Sequence, residues 1–303
     1  MDRLDAMLVL LTVVEAGSLS AGARRLGAPL ATVSRKVSDL EAHLKTRLLN
    51  RSSRRITLTE AGQSYVAACR RILEVVGEAE RAAAGEYSAP RGDLAITAPV
   101  VFGRLHVLPV VIEFLRAYPD IDIRMGLADR MINLLEDPVD LAVRIGHLPD
   151  SSLVARRVGS IRRVVCASPA YLAERGTPKE PADLAAHDCI TFEGMTAPHA
   201  WTFPAGRAET SVTIRSRLAV NTAEAAIDAA KAGIGITRVL SYQVAGALRD
   251  GAVALALQDF EPAPLPVNLV HIGQRLLPLK LRAFLDFATP RLRSALNPSP
   301  AAP

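Results

Sequence analysis

Aromatic residues make up only 4% of the 303-residue chain, and cysteine occurs three times, as Cys69, Cys166 and Cys189. Three thiols do not make a disulfide framework, which excludes the small stapled scaffolds of secreted proteins. The six histidines are scattered, with none at a metal-ligand spacing from a cysteine or another histidine, so no metal site is expected. No apolar run reaches the roughly 18 residues that span a bilayer. The start, MDRLDAMLVLL, carries acids and merges into an amphipathic helix instead of a signal peptide. A soluble, cytoplasmic protein with no membrane partner is expected. Catalytic signatures are missing too: Gly233-Ile-Gly235 is a GxG without the rest of a dinucleotide fingerprint, and there is no GxSxG elbow or phosphate loop. Neither an enzyme nor a cofactor is expected.

What is present is apolar bulk and a lopsided charge. Half of the residues are apolar, enough for two or three domains with packed cores. Residues 1–60 hold 10 Lys and Arg against 6 Asp and Glu, a net of +4, while the other 243 hold 26 against 25, a net of +1. The basic excess therefore sits on one segment, as expected of a nucleic-acid contact.

That segment reads as helices. Leu4, Met7, Leu8, Leu11 and Val14 recur at helical spacing, and Gly17 breaks the run. Ser18 or Ser20 caps a second helix, Ser20 to Leu26, whose Ala21, Gly22 and Ala23 permit close packing, and Gly27 ends it. Pro29 suits the first turn of a third helix, Leu30 to Leu44. Its Val33, Val37, Leu40 and Leu44 face a core, while Thr32, Ser34, Arg35, Lys36 and Ser38 point outward. Short hydroxyls and an arginine near a helix N-terminus suit the major groove. Asn50 to Leu58, NRSSRRITL, suggests a hairpin or wing whose Arg51, Arg54 and Arg55 meet phosphates or a minor groove.

Thr59 caps a long helix reaching about Tyr87, in which Ala61, Tyr65, Ala68, Ile72, Val75 with Val76, Ala79 and Ala82 form a seam of near-heptad spacing. Such a seam needs a partner, and two copies of this chain would supply it. Gly85 and Ser88 to Gly92 form a hinge. Beyond Asp93, short apolar strands alternate with helices, the pattern of parallel α/β sheets. Strands are expected at Leu94 to Ala98, Ile121 to Leu127, Leu141 to Arg144, Arg163 to Ala167, Cys189 to Phe192, Trp201 to Phe203, Ser211 to Leu218, Ile234 to Thr237 and Val267 to Ile272. Helices are expected at Gly103 to Ala117, Met131 to Glu136, Ala223 to Ala232 and Leu279 to Leu292.

The segments GSLSAGARRL from Gly17, ATVSRKVSDLEAHL from Ala31 and LLNRSSRRITLTEAG from Leu48, then ITAPVVFGRLHVLP from Ile96, DLAVRIG from Asp140, VVCASPAYL from Val164 and AGIGITRVLSYQV from Ala232, together resemble a LysR-type transcriptional regulator over essentially the whole chain. The resemblance implies a multidomain protein: an all-α winged helix-turn-helix N-terminal domain at 1–59, a long linker and dimerisation helix at 60–88, and an α/β two-lobed effector domain like a periplasmic binding protein at 89–303. Lobe I would take about 93–164 and 267–293, lobe II about 165–266, with crossovers near Val164 to Cys166 and Pro264 to Val267. Thr32, Ser34 and Arg35 fall on the groove-facing positions and Arg51, Arg54 and Arg55 on the wing. One departure concerns the reading helix: Pro29 and Leu30 stand where relatives often carry a small polar residue and a glutamine, so a bidentate contact to adenine is not available there.

Between two lobes lies a cleft, and open α/β sheets bind ligands beyond the carboxyl ends of their strands. Pro99, Val100, Phe102 and Gly103 follow the first strand, Arg144 and Gly146 end another, and Thr237 ends a third. Asn221 and Thr222 precede a helix whose N-terminus suits a carboxylate. Many relatives show Asp where this chain has Thr222. The implied function is a DNA-binding transcription regulator modulated by a small carboxylate or aromatic acid. Its partners are double-stranded promoter DNA, a second copy or a dimer of dimers, and RNA polymerase. Two alternatives stay open, a redox switch between Cys166 and Cys189 and a repressor that needs no effector, although VVCA and DCITF read as apolar strands with buried thiols.

Overall fold

The computed structural model describes residues 2–51, 56–83, 89–129, 134, 139–149, 153–192, 200–206, 208–273 and 277–296. Helix α1 (Arg3–Ala16) starts on the Asp2 carboxylate, which accepts from the Leu4 and Asp5 N–H groups, and stops at Gly17 in the left-handed region. Ser18 caps α2 (Leu19–Arg25), one residue earlier than expected from sequence. A Cβ on Gly22 would lie 2.7 Å from a Val13 methyl, so glycine sets how closely α1 and α2 approach. Helix α3 (Leu30–Leu44) buries Val33, Val37 and Leu40 against that pair, with Pro29 in the capping position. Strands β1 (Leu49–Arg51) and β2 (Ile56–Leu58) form the antiparallel wing. The Glu41 carboxylate accepts from the Leu48 and Leu49 N–H groups at 2.8 and 3.0 Å, which ties the wing to α3.

Thr59 caps α4 (Glu60–Ala83), its hydroxyl accepting from the Gly62 N–H. Val66 and Cys69 are buried in the N-terminal core, with Tyr65 and Leu73 packed on it. Of the expected seam, Ala61, Ile72 and Ala79 are exposed and Ala68, Val75 and Val76 half-buried in the single chain. The seam therefore shares Tyr65 with the stripe that seats the helix on its own domain, and Ala61, Ile72 and Ala79 lie outside that stripe. Gly85 and Ser88, read as part of a hinge, lie outside the described residues, as do Arg54 and Arg55 of the wing and nearly all of the helix expected from Met131 to Glu136.

Two five-stranded sheets follow. The first has the order β4-β3-β5-β14-β6, built from β3 (Gly92–Ala98), β4 (Ile121–Leu127), β5 (Leu141–Ile145), β6 (Leu153–Ile161) and β14 (Leu265–Ile272). A helical stretch after β3 comprises α5 (Val100–Phe102), a π-turn (Gly103–Val107) and α6 (Leu108–Ala117). With the terminal α10 (Leu279–Leu296) it covers a core containing Phe102, Phe114 and Phe284. The second sheet has the order β11-β8-β12-β7-β13, from β7 (Arg163–Ala167), β8 (Asp188–Phe192), β11 (Arg215–Val220), β12 (Ile236–Leu240) and β13 (Ala254–Ala256). Helices α7 (Pro169–Arg175), α8 (Ala223–Lys231) and α9 (Ser241–Arg249) flank it, and a hairpin of β9 (Ala200–Ala205) and β10 (Ala208–Thr213) lays Trp201 and Phe203 on its core.

The sheets correct the sequence in three respects. Each is mixed, with four strands running one way and a single strand against them, because the chain returns through β14 in the first and turns back through β7 in the second. Val164 to Cys166 is the middle of β7, and the crossover is at Arg162, since β6 already closes lobe I; this edge strand was not foreseen because Arg156 and Arg157 interrupt its apolar pattern. The strand expected from Ser211 to Leu218 is two strands, separated at Ile214, which is 5% exposed.

Candidate DNA-reading surface and interlobe cleft

On α3, Arg35 is exposed and Thr32, Ser34, Lys36 and Ser38 are half-buried. Leu30 is 48% exposed at the N-terminal end of the same helix, so an apolar side chain leads the surface where relatives often place glutamine. Lys36 is not directed wholly outward: its ammonium pairs with the Asp5 carboxylate at 2.6 Å. That leaves Arg35 as the exposed cation of the helix's first two turns, preceded by the hydroxyls of Thr32 and Ser34, a combination able to donate to guanine and to phosphates. Arg51 ends β1 at the base of the wing.

In the regulatory half, Pro99 precedes α5, and the Val100 N–H donates to the Asp129 carboxylate at 3.0 Å, joining the carboxyl ends of β3 and β4. Phe102 is fully buried, its ring centre 4.8 Å from that of His106 in a tilted arrangement and 5.4 Å, edge-on, from that of Tyr242 of α9. Burial lowers the His106 imidazole pKa. A Cβ on Gly103 would come within 2.3 Å of a Leu127 methyl, so this glycine serves packing beside the cleft. Arg144 lies opposite Asn268 in the first sheet, its pKa lowered by burial. Gly146 has φ 118°, a left-handed-side value that glycine tolerates, and donates to the Pro266 carbonyl.

In lobe II, Asn221 is exposed and the Thr222 hydroxyl accepts from the Ala225 N–H at 3.2 Å as the cap of α8. Thr237 is 0% exposed and its hydroxyl donates to the Ile190 carbonyl at 3.1 Å. It therefore belongs to the sheet interior, on the face turned away from Trp201 and Phe203. The structure brings together Phe102, His106 and Tyr242 at the lobe junction, where Leu240 and Tyr242 pack on the core of lobe I. The sequence reading missed His106 and Tyr242. It also missed Arg163 and Arg238, which a charge inside the apolar run ITRVL could have signalled.

The two thiols considered as a redox pair are separated by β12, with Cys166 opposite Thr237 and Cys189 opposite Ile236. Strands two apart are roughly 10 Å apart, and adjacent residues of β12 face opposite sides, so the thiols sit in different cores. A disulfide cannot form there without dismantling the sheet. Burial pushes both thiols up to about 12. The switch is overturned by this geometry.

Residues 4–63 match the family described as "Bacterial regulatory helix-turn-helix protein, lysR family", and residues 88–293 match the "LysR substrate binding domain". The chain is 37% identical, over 95% of its length and 85% of the relative's, to an HTH-type transcriptional regulator of Xanthomonas campestris pv. campestris. It is 35% identical, over 95% and 91%, to an HTH-type transcriptional repressor of Pseudomonas aeruginosa. Among solved structures, CrgA, a LysR-type transcriptional regulator from Neisseria meningitidis, is similar with a TM-score of 0.60 and 31% identity, covering 95% of this chain and 98% of that one.

Proposed function

The chain belongs to the LysR family of bacterial DNA-binding transcription regulators, and from that premise we propose that it acts as a homodimer, or a dimer of dimers, on a partly palindromic promoter site. Helix α3 enters the major groove by its N-terminal end, led by Thr32, Ser34 and Arg35, and the wing meets the backbone. The exposed seam of α4 pairs two copies, which turns one short reading helix into two half-site contacts about one helical turn apart. A small carboxylate or aromatic acid in the interlobe cleft favours one arrangement of lobes and subunits. The spacing of the DNA-binding domains and the bend of the DNA shift with it, and RNA polymerase is recruited or blocked accordingly.

The single observation that carries this reading is the conjunction, in one chain, of an exposed arginine on α3 with two α/β sheets whose lobes meet where Phe102 packs edge-on to Tyr242. Footprinting on the DNA upstream of the protein's own gene, with and without a mixture of small organic acids, tests it. A protected site whose extent changes with the mixture is expected. Protection that ignores the mixture removes the effector part, and no protection there or in genome-wide binding removes the whole.

A further inference from the structure

Two arginines at the lobe junction serve neither the DNA-reading surface nor the folding contacts described above. Arg238 stands in the middle of β12 and is 4% exposed. Its Nη2 donates to the Thr202 carbonyl at 2.8 Å and its guanidinium carbon lies 4.7 Å from the Phe203 ring centre, but its Nε has no acceptor among the described residues. Arg163 opens β7, where the register sets it opposite Leu240, on the face that Arg238 occupies two residues away. It is half-buried, and among the described residues its side chain forms no hydrogen bond or ion pair. Burial lowers both guanidinium pKa values, Arg238 to about 10, and the charge of Arg163 adds to the effect on Arg238.

Two desolvated cations side by side, one with an orphan donor, form a costly arrangement that an anion would complete. A second orphan donor lies on the same layer: Trp201 shares its face of β9 with Phe203, is 1% exposed, and its indole N–H has no acceptor among the described residues. Arg238 lies toward the carboxyl end of the parallel strands, and the next residues, Leu240 and Tyr242, pack on lobe I.

We propose that Arg163 and Arg238 clamp the carboxylate of a small organic acid in the interlobe cleft, the apolar part of the acid lying against Phe203 and Leu240. The assignment rests on the effector reading above and names the residues that recognise the acid. Arg238 is packed too deeply for truncation to be informative, so the test uses Arg163→Gln in the full-length protein. Melting midpoints are measured with acetate, butyrate, benzoate and inorganic sulfate, each titrated against chloride at fixed ionic strength, with benzamide as the neutral counterpart of benzoate. The expected result is a saturable rise with at least one carboxylate, none with benzamide, and an apparent affinity on the order of 10-fold or more weaker in folded Arg163→Gln. Equal rises in both proteins, or no rise in the wild type with any of the anions, overturn the clamp. The operator footprint, taken with the same acids, separates the two ideas. Binding lost in Arg163→Gln without any change of footprint in the wild type keeps the clamp and removes the effector role. A footprint change shared by both proteins keeps the effector role and removes the clamp.

Discussion

The Lys280 ammonium lies 2.7 Å from the Glu74 carboxylate, so the helix that closes lobe I is tied to the linker helix that carries the DNA-binding domain. Lys280 is 6% exposed and also donates to the Asp93 carbonyl, at the first strand of lobe I. The pair stands in a cleft of about 700 Å³ that Glu15 of the N-terminal domain and Arg70 of the linker helix share with Arg124 and Asp140 of lobe I. Any rearrangement of lobe I relative to α4 has to part or carry this ion pair.

Removing one partner of a buried pair leaves the other charge poorly solvated. Glu74→Ala is expected to lower stability by roughly 1–3 kcal/mol, because among the described residues Lys280 keeps only the Asp93 carbonyl. Urea unfolding followed by circular dichroism measures it; an unchanged midpoint would show that the ammonium finds water or another acid at no cost.

Arg35 and Lys36 are neighbours in sequence with different surroundings, one exposed and the other held by Asp5. Arg35→Ala should weaken binding to a footprinted operator by about 1–3 kcal/mol while leaving the fold intact. Lys36→Ala should change stability by about 0–1 kcal/mol through its surface pair, with the smaller effect on operator affinity. Gel-shift titrations of both variants give the ranking, and a larger loss for Lys36→Ala would contradict it.

Gly62 and Gly246 make opposite predictions from the same substitution. A Cβ on Gly62 would sit 2.0 Å from the Leu48 carbonyl oxygen, at the joint between wing and α4, whereas nothing lies within 4 Å of one on Gly246 in the middle of α9. Gly62→Ala is expected to destabilise by about 1–3 kcal/mol and to weaken DNA binding. Gly246→Ala is expected to stabilise by about 0.5–1 kcal/mol, through the backbone entropy glycine loses in a helix. Thermal unfolding of the two variants decides both signs.

All three cysteines are buried and free, and burial raises each thiol pKa. Native protein at neutral pH should show no thiol reacting rapidly with a disulfide reagent, three should react after denaturation, and peroxide should leave the operator footprint unchanged. For Cys166 and Cys189 the folded value of about 12 exceeds the ordinary 9.0. Their buried neutral form therefore contributes stability below pH 9, and this is lost as pH rises from 9 toward 12 while the unfolded chain ionises first. A melting midpoint flat across that window would count against it.

Local spacing sufficed for the N-terminal half. The helical period of Val33, Val37 and Leu40, the caps Ser18 and Thr59, and the left-handed stop at Gly17 are set by residues within a turn or two of one another. Their sequence pattern and their geometry are therefore the same fact. The alternation of strands and helices after Asp93 likewise revealed two α/β lobes. Which strands run antiparallel was legible nowhere in that pattern, because β14 reaches the first sheet only after the chain has built the whole of the second. The same distance in sequence hid the separation of Cys166 from Cys189, the burial of Thr237, the meeting of Phe102 with Tyr242, and the shared face of Arg163 and Arg238. Each depends on register between segments far apart along the chain, and a shift of one residue in a strand reverses the face of every side chain it carries. The sequence by itself determined most of the N-terminal elements, the α/β alternation and the family resemblance; packing alone decided the edge strand β6, which charged side chains lie buried beside one another and which helices were bound to one another.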